Sequence, residues 1–104
     1  MASGQGSVSL DFGGSGANAA SVVVTGQTGI TTAALVEVWI FPRDTSGSAN
    51  GHTEDEHAAA HYAGLFRVTA PVSSIVNNTG FTIYGQSLST KLKGPWNIAY
   101  AWNG

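Results

Sequence analysis

The sequence predicts an all-β fold, a single-domain antiparallel β-sandwich or small barrel of about seven short strands, with one long loop that holds a short helix. Three observations predict it. β-branched and aromatic residues gather in short runs, Gly-rich or Asn-rich turns separate those runs, and no segment keeps a helical period beyond about three turns. The 104 residues leave room for one domain spanning 1–104, with residues 1–7 read as a flexible N-terminal arm.

Taken in order, the expected strands are Ser7 to Phe12, Ala20 to Thr25, Leu35 to Phe41, Leu65 to Ala70, Ser73 to Val76, Phe81 to Gln86 and Trp96 to Asn103. The third is the most strongly β-branched and aromatic. Its faces read Val36, Val38, Ile40 and Leu35, Glu37, Trp39, Phe41, and it stops at Pro42, which has no N–H for a ladder. In the last, Trp96, Ile98, Tyr100 and Trp102 alternate with Asn97, Ala99, Ala101 and Asn103, so one face is large and apolar and the other small. The large face is expected in the core, where bulky residues must fill about 10 Å between packed sheets. Asp11-Phe12-Gly13-Gly14, Thr25-Gly26-Gln27-Thr28-Gly29 and Asn77-Asn78-Thr79-Gly80 supply turn chemistry between strands.

One stretch departs from this pattern. A polar loop from Asp44 to Gly51 leads into His52-Thr53-Glu54-Asp55-Glu56-His57-Ala58-Ala59-Ala60-His61, which carries all 3 histidines. Thr53 followed three residues later by Glu56 is a capping-box signature, and acids in a first turn suit the positive end of a helix. A helix here would place His57 and His61 on one face at the spacing of two metal ligands. Ala58 stands where a zinc hydrolase carries its general base, so hydrolytic metal chemistry is not expected. His57 and His61 are the weak candidates for a metal. The blander alternative is a charged loop whose histidines cap carbonyls or pair with Glu54, Asp55 or Glu56.

Other chemistry is thin. Gly13-Gly14-Ser15-Gly16 lacks the spacing of a nucleophile elbow, and Gly26-Gln27-Thr28-Gly29 is followed by Ile30 rather than the lysine of a phosphate loop. No catalytic residue and no cofactor is expected. With no cysteine, disulfides and thiolate metal sites are excluded. Arg43, Arg67, Lys91 and Lys93 are the only Lys or Arg residues and they are scattered, which argues against nucleic acid as a partner. No apolar run approaches the roughly 18 residues that span a bilayer, and the start lacks the basic and apolar regions of a signal peptide, so neither membrane nor secretion is expected.

Composition points toward association. Charged residues make up 10% of the chain, while Gly, Ala, Ser and Thr make up about half. A surface so poor in charge lacks the repulsion that keeps copies apart and can be buried without desolvating ions. A homo-oligomer is therefore expected. The expected contact residues are Trp39, Phe41, Arg43, Asp44, His52, His57 and His61, drawn from an aromatic strand face and the loop that the sheets do not need. A second use of exposed aromatics, stacking on a sugar ring, is the alternative.

Asp11-Phe12-Gly13, Val24-Thr25-Gly26-Gln27-Thr28-Gly29-Ile30, Val36-Glu37-Val38-Trp39, Asp55-Glu56-His57, Gly80-Phe81-Thr82-Ile83-Tyr84-Gly85 and Gly94-Pro95-Trp96-Asn97-Ile98-Ala99-Tyr100-Ala101-Trp102-Asn103 follow one another in the chain. In that order they resemble a group of small structural proteins of tailed bacteriophages. The resemblance runs from Ser9 onward and implies a β-rich virion component assembled in the host cytoplasm. It carries over no catalytic residue, and the loop from Asp44 to Gly51 is an insertion beyond the pattern. The expected role is a capsid decoration (cement) protein acting as a homotrimer, in contact with itself and with the major capsid protein or tail proteins. A tail or tail-fibre component and a module for host-surface carbohydrate are the alternatives.

Overall fold

The computed structural model describes residues 2–88 and 90–104. Within them lie six strands and one α-helix: β1 (Ser3–Asp11), β2 (Ala19–Val24), β3 (Leu35–Ile40), α1 (Glu54–Ala63), β4 (Arg67–Thr69), β5 (Phe81–Gln86) and β6 (Pro95–Asn103). They form two three-stranded sheets, ordered β1-β6-β3 and β2-β5-β4, with every pairing antiparallel. The β-rich class and the antiparallel pairing agree with the sequence.

Strand β6 is the axis of the first sheet. Its large face is inward, with Trp96, Ile98, Tyr100 and Trp102 buried; on the other face Asn97 and Ala101 are half-exposed and Asn103 is exposed, while the small Ala99 is also buried at 5%. Register carries this outward to both neighbours. Leu10 faces Trp96 and Val8 faces Ile98 on one side, while Ile40, Val38 and Val36 face Ile98, Tyr100 and Trp102 on the other. From the second sheet, Val24, Phe81 and Ile83 join the same core, closed at its ends by Phe12, Ile30, Phe66 and Leu92. Burial of such side chains is the main favourable term in folding a chain this short, at roughly 1.5–3 kcal/mol each.

The segment expected to be a flexible arm is instead strand. Met1 lies outside the described residues, but Ser3 to Ser7 pair with β6 from Asn103 to Ala99. The reason lies in two glycines whose freedom reads as flexibility in sequence. A Cβ on Gly4 would stand 2.5 Å from Trp102 Nε1, and one on Gly6 would stand 2.6 Å from the Tyr100 hydroxyl. Both positions face inward, and the missing side chains give the two rings room to lie across β1.

The expected strand from Ser73 to Val76 is also corrected. Val72–Ser74 forms a single 3-10 turn after Pro71, and Val76 makes only an isolated bridge to Gly80. Here a hydroxyl takes the place of a ladder. Ser74 Oγ donates to Pro71 O at 2.6 Å and accepts from the backbone N–H of Thr82 at 3.1 Å, tying the turn to β5.

The predicted helix is present. Thr53 is its N-cap, with Oγ1 accepting from Glu56 N at 3.2 Å while Glu56 Oε1 accepts from Thr53 N at 2.9 Å, the reciprocal pair of a capping box. Gly64 ends it in the left-handed conformation, φ 66°, where a side chain would be strained. No helix among the described residues is long and apolar enough to cross a membrane.

Candidate functional site

The histidine segment is a structural joint. Thr45 and His52 close the Asp44 to Gly51 loop on itself, Thr45 N donating to His52 O at 2.8 Å and His52 N donating to Thr45 Oγ1 at 2.8 Å. Asp44 caps the same loop. Its carboxylate accepts from Ser46 N at 2.7 Å, and that hydrogen bond holds its pKa below the ordinary value. The His52 ring then stacks on Trp96, with centroids 3.7 Å apart and planes 18° apart, and its Nε2 donates to Lys93 O at 2.6 Å. His57 packs edge-on against the same indole at 5.1 Å, and Phe66 does so at 5.4 Å.

His57 is fully buried. Its Nδ1 donates to Thr53 O at 2.8 Å and its Nε2 accepts from the backbone N–H of Asn97 at 2.9 Å. The imidazole thus does the work of a strand partner at the end of the β6 ladder and joins α1 to the sheet. Both ring nitrogens are used, so no lone pair remains for a metal, and His61, one turn on, is exposed. The pair His57 and His61, spaced as two ligands, is not brought to a common metal position. Among the described residues no three His, Cys, Asp or Glu side chains gather in a metal-binding arrangement.

These placements divide the expected contact residues. His57 lies in the core and the His52 side chain is only 15% exposed, held between Trp96 and Glu56. Neither presents itself to a partner. Arg43, Asp44, His61 and Trp39 are exposed, and Phe41 is half-buried.

The outward face of the β1-β6-β3 sheet is the most distinctive surface. Register lays its side chains in rows across three strands: Gln5, Ala101 and Glu37 in one, Ser7, Ala99 and Trp39 in the next. Beyond these, Phe41 N donates to Asn97 O at 2.8 Å and extends the ladder by one residue, bringing Phe41 beside the row of Ser9 and Asn97. The centre column is therefore small, the β1 column carries hydroxyls and an amide, and the β3 column carries aromatics. The result is a shallow trough of about 390 Å³ lined by Gln5, Gly6, Ser7, Ala99, Trp39 and Phe41, together with Tyr100. None of these residues is charged, and Glu37 stands in the adjoining row.

One residue that sequence reasoning passed over organises the opposite side of the same sheet. Gln27, assigned only to a turn, reaches under the sheet end, where its Oε1 accepts from Trp102 Nε1 at 2.8 Å and its Nε2 donates to the Tyr100 hydroxyl at 3.2 Å. The only signal in sequence was a long amide between two turn glycines. Trp96 has no such partner, and its Nε1 is buried without one among the described residues.

Compared with protein-family models, with curated proteins and with solved structures, the chain matches none.

Proposed function

We propose that the chain is a structural, non-catalytic component of a bacteriophage particle, a β-sandwich of two three-stranded sheets that assembles as a homotrimer and decorates the capsid as a cement protein. The observation that carries this reading is the apolar surface left uncovered on a chain so poor in charge. Leu35 is 72% exposed, Tyr62 94%, Leu88 78% and Val23 65%, with Val72, Val76 and Tyr84 also at the surface. Val23 and Tyr84 share the outward face of the β2-β5-β4 sheet, because their register partners Thr82 and Ser21 alternate with the core residues Phe81 and Ile83. Covering such residues on neighbouring subunits removes apolar area from water without stripping ions of their hydration.

Support also comes from how the polar groups are used. His52 and His57 tie the loop and helix to the sheet and Glu56 caps the helix, which suits a rigid module that works by contact. Binding to the particle and to its own copies would then stabilise the folded form by mass action. The order of motifs that resembles small tailed-phage structural proteins supplies the biological setting.

The test is the solution mass of the purified chain by light scattering over a roughly hundredfold dilution. A species at three times the 10.6 kDa chain mass is expected. A monomer at every concentration would overturn the self-assembling trimer.

A further inference from the structure

We propose that the outer trough of the β1-β6-β3 sheet binds a neutral, polyhydroxylated sugar chain, with Trp39 and Phe41 as its stacking wall. This goes beyond the assembly reading and does not depend on it.

The two walls of the trough are chemically unlike, and a sugar has the same two kinds of surface. On β3, Trp39 is 37% exposed on the outward face and Phe41 stands half-buried beside it. The C–H face of a sugar ring is apolar and slightly positive, so it lies flat on the electron-rich face of an aromatic ring. Across the trough, Gln5 and Ser7 on β1 offer an amide and a hydroxyl that can both donate to and accept from ring hydroxyls. Between the walls the floor is Ala99, small and only 5% exposed, so a flat ring would lie over it across the roughly 10 Å that separates β1 from β3.

Charge narrows the ligand class. The lining holds no cation, and Glu37 adds a carboxylate in the next row, which disfavours phosphate, sulfate or uronate groups and leaves neutral hydroxyl-bearing ligands. An extended peptide has no backbone to pair with there, since β6 is hydrogen-bonded on both sides and the trough lies on its face. The trough, about 390 Å³, is open to solvent rather than enclosed. Such an open trough binds weakly as a single site, and repetition on an oligomer would raise the avidity.

The experiment is an amide and indole NMR titration of the full chain with cellohexaose, maltohexaose and chitotetraose as neutral probes and polygalacturonate as the anionic control. At least one neutral probe is expected to shift Ser7, Trp39 and Ala99 together with the Trp39 indole, while the Trp102 indole, held by Gln27, stays in place. Trp39→Ala should weaken that binding about tenfold or more, Trp39→Phe should retain part of it, and Glu37→Gln should leave it in place. No response to any neutral probe at ~10 mM would overturn the proposal. So would shifts centred outside the trough, or a preference for the polyanion. Shifts of the same residues on raising protein concentration alone would also overturn it, by giving the trough to a second copy. Light scattering on the same samples reads the assembly state separately, so either reading can fail without the other.

Discussion

Trp39 and Trp102 stand on adjacent strands of one sheet and point to opposite sides of it. Trp102 is 4% exposed, lies over Gly4 and donates its indole N–H to Gln27; Trp39 is 37% exposed beside an alanine floor. The difference is set by one residue of register, since Trp102 pairs with Val36 and Trp39 pairs with Ala99. What surrounds each ring then decides its role. The inward indole has a tailored partner for its polar atom and a glycine cut away to admit it, as a fixed part of a core requires. The outward indole is left with a free flank, which is what recognition requires. The two residues therefore predict opposite mutational signatures, one in stability and one in binding.

The largest effect belongs to the inward ring. Trp102→Ala should lower the unfolding free energy by about 3–5 kcal/mol, through lost burial, an unfilled cavity and the Gln27 amide left without its donor. In a chain of this size that is a large share of the total, so thermal or urea unfolding should show a much reduced midpoint or no folded baseline. A loss below about 1 kcal/mol would erase the contrast with Trp39 and contradict the register of β6 against β3.

Much of that contrast was legible in the sequence, because a period of two is a strong signal when one face is Trp, Ile, Tyr, Trp and the other Asn and Ala. The helix was legible for the same kind of reason: Thr53 and Glu56 form a local pattern whose physics lies within four residues. Less legible were features that depend on distant partners. Gly4 and Gly6 read as a loose arm until the rings of Trp102 and Tyr100 are brought across them. Local spacing made His57 a weak metal candidate and an expected contact residue; its bond to Thr53 O is the carbonyl capping of the blander alternative, while its second partner, the backbone N–H of Asn97, is forty positions away. Gln27 likewise spans seventy-five positions to reach Trp102. The strand expected at Ser73 to Val76 failed because two serines and a preceding proline favour a turn closed by a hydroxyl, which competes with the ladder. The trough needed three strands in register before Ser7, Ala99 and Trp39 became neighbours.

The helix that carries His57 allows an intermediate test of whether the inward side is held together by local caps. Thr53→Ala removes the Oγ1 acceptor for Glu56 N and should cost about 1 kcal/mol in chemical denaturation. Its pH dependence has a definite sign. The Thr53 backbone N–H beside the Glu56 carboxylate lowers that group's pKa from the ordinary 4.5. The stability it contributes is therefore present above pH 4.5 and is lost as pH falls through the lowered folded value. Glu56→Gln should remove that acid-labile part while keeping an acceptor for Thr53 N, so its difference from the parent should shrink in acid. A difference that grew on acidification would assign the effect to another group.

The smallest stability effect is expected at the outward ring, and its smallness is the point. Trp39→Ala gives up the packing of a partly exposed indole across Ala99, with no buried polar group orphaned and no closed cavity left, so the cost should stay below about 1 kcal/mol. The inward alternation of Val36, Val38 and Ile40 continues to hold β3 against β6, and the unfolding midpoint should sit close to that of the parent chain. Loss of sugar or subunit contact in a variant that folds normally would place the function of this face in the indole itself. A loss of several kcal/mol would instead mean that the outward face also serves the core, and that Trp39 and Trp102 differ in exposure without differing in role.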